Sequence, residues 1–122
     1  MSTKTFSIVI PVALALTISI TTYALGQTPE EMGRTHFTNP TFAGGEKACN
    51  SCHPNGRGLE EAGKKTKFNI MGEKQNSLEE AINMCIANAI KGKPIPEDSK
   101  EMKEMVSYIK SLGNNASAGQ GR

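Results

Sequence analysis

Residues 49–53 read Cys49-Asn50-Ser51-Cys52-His53, and this pentapeptide governs what is expected of the rest of the 122-residue chain. It has the form C-x-x-C-H, which is the attachment motif for c-type haem. The spacing has a chemical reason, because two thiols three positions apart can each add to a vinyl group of the porphyrin. The adjacent histidine can then bind the iron as the proximal ligand. The motif predicts one covalently attached haem c, held by Cys49 and Cys52, with His53 on the iron.

Two other kinds of site could use the same cysteines. A zinc ion takes sulfur and nitrogen ligands, and these could be Cys49, Cys52 and Cys85 with either His36 or His53. A thioredoxin-like redox pair needs a βαβ setting, and no β-branched strand precedes the motif. Three cysteines are an odd number, so a fully disulfide-paired scaffold within one chain is excluded. Haem is the favoured reading, since the full C-x-x-C-H motif is specific in an exported chain of this size.

Residues 1–26 have the features of a cleaved signal peptide. Lys4 lies in a short polar start, and an apolar stretch follows over residues 6–20. That stretch is shorter than a membrane-spanning helix normally needs, and Pro11 interrupts it. Residues 24–26, Ala-Leu-Gly, then place small side chains at a cleavage site before Gln27. We expect export to the periplasm or an equivalent compartment, with an uncleaved membrane anchor as the alternative.

Cleavage at that site leaves 122 − 26 = 96 residues, enough for one domain. Removing Lys4 leaves thirteen basic side chains against twelve acidic ones, which lacks the charge excess of a nucleic-acid-binding protein. The aromatic side chains that remain are Phe37, Phe42, Phe68 and Tyr108. So small a domain, with so few large side chains, usually needs a cofactor or a staple to complete its core.

The chain is predicted to be all-α, with three to four helices. A first helix should run from Pro29 to about Thr38, because a proline and two acids open it. The following loop leads into the motif. Residues 54–76 are glycine-rich and basic and have no sustained period, so we expect a long loop around the haem, with one helical turn near residues 59–63. Phe68 in this loop is a candidate for packing against the haem, and no strand ladder is visible.

Two further helices are expected after the loop. Ser77 and Glu80 fit a capping box for a helix from Leu78 to about Lys91, which Gly92 would end. Asp98 and Glu101 offer a second capping box, for a helix that should end at Leu112 with Gly113 as its C′ residue. The apolar stripe of this last helix consists of Met102, Met105, Val106, Ile109 and Leu112. Residues 27–113 would then form the domain, and residues 114–122 a flexible tail.

The distal ligand of the iron is open at this level, because several residues compete for it. Cys85 shares a helix face with Leu78, Ile82 and Ala89. Met71 lies in the loop and could approach the iron as methionine does in ordinary electron carriers. Spacing alone does not separate these two sulfurs.

Other residues compete less strongly for the iron. His36 could give a bis-histidine site, although the helix that carries it is better explained as packing across the last helix. Met84 points about 100° away from its neighbour Cys85 on an ideal helix. Met102 and Met105 are better explained as core residues of the last helix.

The order helix, C-x-x-C-H, long loop and two helices, ending in the segment 105–113 (MVSYIKSLG), resembles class I cytochromes c. The resemblance implies that the first and last helices cross tightly beside the haem. Gly33 and Phe37 match the small and aromatic pair of the first helix, and Tyr108 matches the aromatic residue of the last.

A narrower resemblance covers the C-terminal third, in residues 82–85 (INMC), 92–96 (GKPIP) and 98–102 (DSKEM). It is similar to the haem domain of thiosulfate dehydrogenases and to the His/Cys-ligated monohaem cytochromes of anaerobic ammonium-oxidising bacteria, which pair as heterodimers. The resemblance implies that Cys85 is the distal ligand and that a second small cytochrome is the partner. Thiosulfate dehydrogenases have two haem domains, whereas this chain has one motif, which argues against independent enzyme activity.

The expected function is electron transfer by an exported, low-potential monohaem cytochrome, as one subunit of a heterodimer. The alternatives are the haem subunit of a thiosulfate-oxidising enzyme and a haem protein that binds nitric oxide or carbon monoxide. The basic loop residues could steer an acidic redox partner or an anionic substrate, although ordinary solvated loop charge is the favoured explanation. They are Arg57, Lys64, Lys65, Lys67 and Lys74.

Overall fold

A computed structural model describes residues 26–119 of the chain. The predicted signal peptide therefore lies, except for its last residue, outside the described part. The elements are α1 (Pro29–Thr38), the short strands β1 (Phe68–Ile70) and β2 (Glu73–Gln75), α2 (Leu78–Asn88) and α3 (Lys100–Gly119). Within residues 26–119, none of the helices has both the length and the apolar character needed to cross a bilayer.

The first helix begins and ends where the sequence predicts. Thr28 caps it, because its Oγ1 accepts a hydrogen bond from the backbone N–H of Glu31 at 3.2 Å. The Glu31 carboxylate in turn accepts from the backbone N–H of Thr28 at 2.8 Å. This reciprocal capping box satisfies two backbone donors that a helix start leaves free. Asn39 ends the helix, its backbone N–H bonding to the carbonyl of His36.

Helices α1 and α3 cross in close contact. Gly33 lies against the backbone carbonyl of Glu104, in a space that a Cβ atom would fill. Beside the crossing, the ring centroids of Phe37 and Tyr108 are 5.1 Å apart with the planes tilted by 57°. His36 Nε2 lies 2.8 Å from the buried carboxylate of Glu104. These contacts confirm the helix crossing that Gly33, Phe37 and Tyr108 predict.

The segment between α1 and α2 differs from the prediction of a strandless loop. It contains four single 3-10 turns (Phe42–Gly44, Cys49–Ser51, Pro54–Gly56 and Ala62–Lys64) and an antiparallel hairpin of β1 and β2. Met71 and Gly72 form the hairpin turn, with φ values of 56° and 85°. Two consecutive residues with positive φ suit the right-handed twist of a hairpin. Strands of three residues are too short to show a period in the sequence.

Helix α2 begins as predicted, but it ends at Asn88 and not at Lys91. Ser77 Oγ accepts from the backbone N–H of Glu80 at 3.0 Å. The chain then turns at Lys91, which has a left-handed φ of 61°. The left-handed residue after the helix is therefore Lys91 and not Gly92. Gly92 instead allows the backbone near Ala43 to pack closely, since a Cβ at residue 92 would lie 2.9 Å from the carbonyl oxygen of Ala43.

Helix α3 starts and ends later than the sequence predicts. Its cap is Ser99, whose Oγ accepts from the backbone N–H of Met102 at 3.2 Å, and not Asp98. The helix continues through Gly113 to Gly119, so the predicted end at Leu112 is wrong. A Cβ at Gly113 would lie 2.7 Å from the carbonyl oxygen of Glu60, so this glycine allows close packing and does not end the helix. Of the predicted flexible tail, residues 120–122 lie outside the described part.

The core lies between α1, α2 and α3. Phe37, Ile86, Ile90, Met102 and Met105 are its largest fully buried side chains. The predicted stripe of α3 is confirmed in large part, because Met102, Met105, Val106 and Ile109 are all buried. Such a core leaves one side of α2 and α3 to face the motif and the hairpin.

Candidate haem site

A mostly apolar cavity opens between the motif, the hairpin, α2 and α3. Apolar walls with a small number of polar groups are typical of ligand and cofactor sites. Three groups that can bond to a haem reach it, namely Cys49, His53 and Cys85. The apolar walls are formed by Phe37, Leu59, Ala62, Phe68, Ile70, Leu78, Ala81, Ile82, Met105 and Ile109.

The motif itself forms a tight turn of the backbone, which directs Cys49 and His53 into the cavity. The backbone N–H groups of Cys52 and His53 both bond to the carbonyl of Cys49, at 3.2 and 3.0 Å. Cys49 is half-buried and lines the cavity, whereas Cys52 is exposed. The turn therefore supplies one thiol inside the cavity and a second thiol on its outer side.

The orientation of His53 is set by a hydrogen bond from its ring. Nδ1 lies 3.0 Å from the backbone carbonyl oxygen of Arg57, to which it donates as Nδ1–H. That bond selects the tautomer whose Nε2 carries a free lone pair, which is the form that binds a metal. The loop can fold back in this way because Asn55 and Gly58 adopt positive φ values of 54° and 84°.

Cys85 reaches the cavity from α2, together with Leu78, Ala81 and Ile82. Burial raises the pKa of its thiol, and the nearby charge of Cys52 raises it further. Burial likewise raises the pKa of Cys49 to about 11, with a further contribution from Cys85. The pKa values of Cys49 and Cys85 are thus each raised both by burial and by a neighbouring sulfur. Without a metal the buried pair stays protonated at neutral pH, and a bound metal is what makes such a sulfur a thiolate.

The helix that carries Cys85 is held to the following connector by one side chain. Asn83 Nδ2 donates to the carbonyl of Ile95 at 2.8 Å, and Asn83 Oδ1 accepts from the backbone N–H of Ile95 at 2.9 Å. These two hydrogen bonds satisfy the backbone N–H and C=O of Ile95, which lies in an extended segment without a neighbouring strand. It ties the connector to the helix two residues before the cysteine.

The competing ligands lie elsewhere. Met71 is at the tip of the hairpin, is 63% exposed and does not line the cavity. His36 is engaged with Glu104 at the helix crossing. Met105 lines the cavity wall but is also 1% exposed within the core. Among residues 26–119 no three His, Cys, Asp or Glu side chains cluster closely enough to hold a metal ion alone, so the zinc site is not assembled.

The residues that are present fit a covalently held haem. The cavity walls are apolar, as a porphyrin requires, and the thiols of Cys49 and Cys85 line the cavity together with the His53 imidazole. His53 Nε2 has no hydrogen-bond partner in the described part of the chain. An imidazole and a thiol are both side chains that could bind a haem iron.

Sequence reasoning missed part of the cavity wall. Ile70, Leu59 and Ala62 line it but lie in a segment without a period, so no pattern singled them out. Phe68 was expected to pack on the haem, and its side chain does line the cavity. The alternation Phe68-Asn69-Ile70 was the one signal available, and three residues are too few to distinguish a strand from a loop.

Comparison with known proteins gives one match. The family model described as "SoxA/TsdA, cytochrome c domain" matches residues 32–117, which is more than half of the chain. No curated protein and no solved structure matches. The matched range includes the motif, the cavity walls and all of α2. It also includes α1 and α3, apart from the first three residues of α1 and the last two of α3.

Proposed function

The chain belongs to the family of SoxA/TsdA cytochrome c domains, and from this premise we propose that it is an exported monohaem cytochrome of low potential, with His53 and Cys85 as axial ligands. Membership makes it a class I c-type cytochrome that binds haem c and transfers electrons. The proposal adds the identity of the ligands, the covalent attachment through Cys49 and Cys52, the export and a partner.

The observation that carries the proposal is that Cys85 and His53 line the same apolar cavity. Met71, the rival sulfur, lies on the surface at the hairpin tip. Reaching the cavity from there would require the hairpin turn to refold, whereas Cys85 already points into the cavity from a capped helix. These positions support Cys85 over Met71 as the distal ligand.

The negative charge of a Cys85 thiolate would account for a low reduction potential. When bound, haem supplies an iron that alternates between the ferric and ferrous states. The ferric iron with its porphyrin dianion carries one net positive charge, which a thiolate neutralises. Reduction then leaves a net negative charge among the apolar walls, and burying an unpaired charge is unfavourable. Cys85 thus favours the oxidised state, in contrast to methionine, which raises the potential.

The other side chains that line the cavity support an electron carrier. Apart from the cysteines and His53, the cavity walls consist of apolar side chains, so the cavity offers no general base to a substrate. The second candidate, a haem subunit of a thiosulfate-oxidising enzyme, rests on membership of this family, because the C-terminal third of the chain resembles the haem domains of thiosulfate dehydrogenases. Turnover of thiosulfate with an artificial electron acceptor would favour that candidate, and its absence would favour the carrier.

A heterodimer with a second small cytochrome is part of the proposal. Met71 is the exposed large hydrophobic side chain of the described residues, and it lies at the tip of the hairpin that walls the cavity. The haem of such a domain must also exchange electrons at its edge, which a partner can approach.

Covalent attachment is tested by denaturing the purified protein in acid and extracting it with an organic solvent. The haem should stay with the polypeptide, whose intact mass should exceed that of the chain by one haem. A Cys49→Ala and Cys52→Ala double variant is the control, because its haem should pass into the solvent. Loss of haem from the unmodified protein would contradict the proposal.

A further inference from the structure

The segment that follows α2 is fastened by backbone hydrogen bonds to the segment that leads into the motif. The backbone N–H of Glu46 donates to the carbonyl of Ile90 at 2.8 Å. The backbone N–H of Lys93 donates to the carbonyl of Ala43, also at 2.8 Å. Each segment thus donates once and accepts once. The chain beyond α2 is therefore held in place from the side of the motif, independently of any contact that α2 itself makes.

The connector, residues 93–96, is a stiff piece of chain that continues from this anchor. Pro94 and Pro96 have rings that fix φ, and neither has a backbone N–H. Ile95 stands between them, and its side chain packs against the core. Its N–H and C=O both bond to the side-chain amide of Asn83, at 2.9 and 2.8 Å. The connector is thus a fixed support, to which one side chain of α2 is attached.

Asn83 and Cys85 lie on opposite sides of α2. They are two residues apart, which places their side chains about 160° apart around the helix axis. Cys85 lines the cavity and Asn83 does not. The amide therefore holds the side of the helix that is remote from the cavity, while the thiol faces the cavity. The two hydrogen bonds of Asn83 fix both the rotation of α2 and its distance from the opposite wall.

We propose that Asn83 is a positioning residue, which holds Cys85 at the distance and angle at which its sulfur binds the haem iron. This inference rests on the proposed ligation by Cys85. Residues that fix a metal ligand through hydrogen bonds affect the strength with which the ligand binds, although they do not touch the metal. Without the two bonds of Asn83, only apolar contacts would join α2 to the connector, and such contacts are not directional. A competing ligand would then displace the sulfur more easily.

The test compares the same substitution at two asparagines of α2. Asn83→Leu keeps the branched shape of the side chain and removes its hydrogen-bonding groups. Asn88→Leu is the matched control, because Asn88 is exposed and its Nδ2 donates only within the helix, to the carbonyl of Met84 at 3.0 Å. Imidazole is titrated into the oxidised haem-loaded proteins, and the loss of thiolate-type absorption reports displacement of the sulfur. Asn83→Leu should bind imidazole about tenfold more tightly and have a raised reduction potential, and Asn88→Leu should match the unmodified protein.

Three further measurements separate the possible outcomes. Urea denaturation identifies a merely structural role, in which Asn83→Leu loses stability while its imidazole affinity and potential stay unchanged, and that result would overturn the proposal. Asn83→Ala takes the place of Asn83→Leu if the latter does not take up haem, and it should shift both properties in the same direction. Cys85→Ala tests the ligation itself, since a spectrum equal to that of the unmodified protein would contradict it. A changed Cys85→Ala beside an unchanged Asn83 variant would contradict only the role of Asn83.

Discussion

His53 Nδ1 lies 3.0 Å from the backbone carbonyl oxygen of Arg57, and this single hydrogen bond leaves Nε2 free for iron. A carbonyl that accepts from Nδ1–H also makes the imidazole a stronger electron donor to a metal. If His53 binds the iron as proposed, the Arg57 carbonyl would tune the iron through the imidazole ring. The neighbouring Gly58, with φ 84°, lets the loop hold that carbonyl in place.

We expect Gly58→Ala to shift the reduction potential upwards, because it disturbs the loop that supplies this carbonyl. The left-handed conformation at residue 58 should cost about 1–2 kcal/mol in the free energy of unfolding. Gly72→Ala is the control, since Gly72 has φ 85° and open space around it at the hairpin turn. Both variants should lose similar stability in chemical denaturation, but potentiometric titration should show a changed potential for Gly58→Ala alone. Equal potentials would mean that the loop carbonyl does not tune the iron.

Replacing Cys85 by alanine should abolish the thiolate-type absorption of the oxidised protein and raise its potential. The rise should be roughly 0.1 V or more, within the ~0.8 V range that axial ligands span. Met71→Ala should leave both properties nearly unchanged, because Met71 is 63% exposed at the hairpin tip. Ultraviolet–visible spectra and a redox titration of the two variants provide the measurement. The opposite result, with ligation altered by the Met71 change alone, would show that methionine is the distal ligand.

Gly33→Ala should separate α1 from α3. A Cβ at residue 33 would collide with the backbone carbonyl of Glu104, which cannot rotate away as a side chain can. Overpacking of this kind costs about 1–3 kcal/mol or more. Thr35→Ala on the exposed side of the same helix should change the free energy of unfolding by no more than about 0.5 kcal/mol. Urea denaturation of both variants would test the crossing, and equal stabilities would contradict it.

Stability should fall at alkaline pH in part through Tyr108. Burial raises the pKa of its hydroxyl, and the guanidinium of Arg34 opposes this only in part. The unfolded chain then loses this proton at lower pH than the folded protein, so the contribution to stability is complete below pH of about 10 and is lost as the pH rises through the folded value. Tyr108→Phe should remove this part of the decline. Melting temperatures of both proteins between pH 8 and about 11 would measure it, and parallel profiles would refute it.

The proposed heterodimer predicts two different haem-stained bands when the protein is purified gently from its source. Met71→Glu should weaken the complex, because it places a charge on the exposed apolar tip of the hairpin. Asn69→Glu, at an exposed position of β1 in the same hairpin, is the control for charge alone because it changes the charge by the same amount. Analytical ultracentrifugation of the reconstituted pair would give the change in affinity. A protein that is monomeric at all concentrations and with every partner tested would contradict the heterodimer.

Local sequence was enough to predict a haem c and the starts of two of the helices that frame its site. The C-x-x-C-H motif consists of neighbouring residues, because thioether formation and proximal ligation need only local spacing. The starts of α1 and α2 were predicted from equally local signals, since Pro29 with two acids marks the first and Ser77 with Glu80 marks the second. The crossing of α1 and α3 was predicted from Gly33 and Phe37 through a family resemblance, and the structure confirms it.

Features that depend on contacts between distant residues became visible only in the folded structure. Gly113 looks like a helix end from its neighbours, yet it lies inside α3, where the carbonyl of Glu60 packs against it. The hairpin escaped detection because its two three-residue strands pair with each other and pack against α2. The positions of the two sulfurs are of the same kind: spacing left Cys85 and Met71 equal, and only the packing of α2, α3 and the hairpin places Cys85 in the cavity and Met71 at the surface.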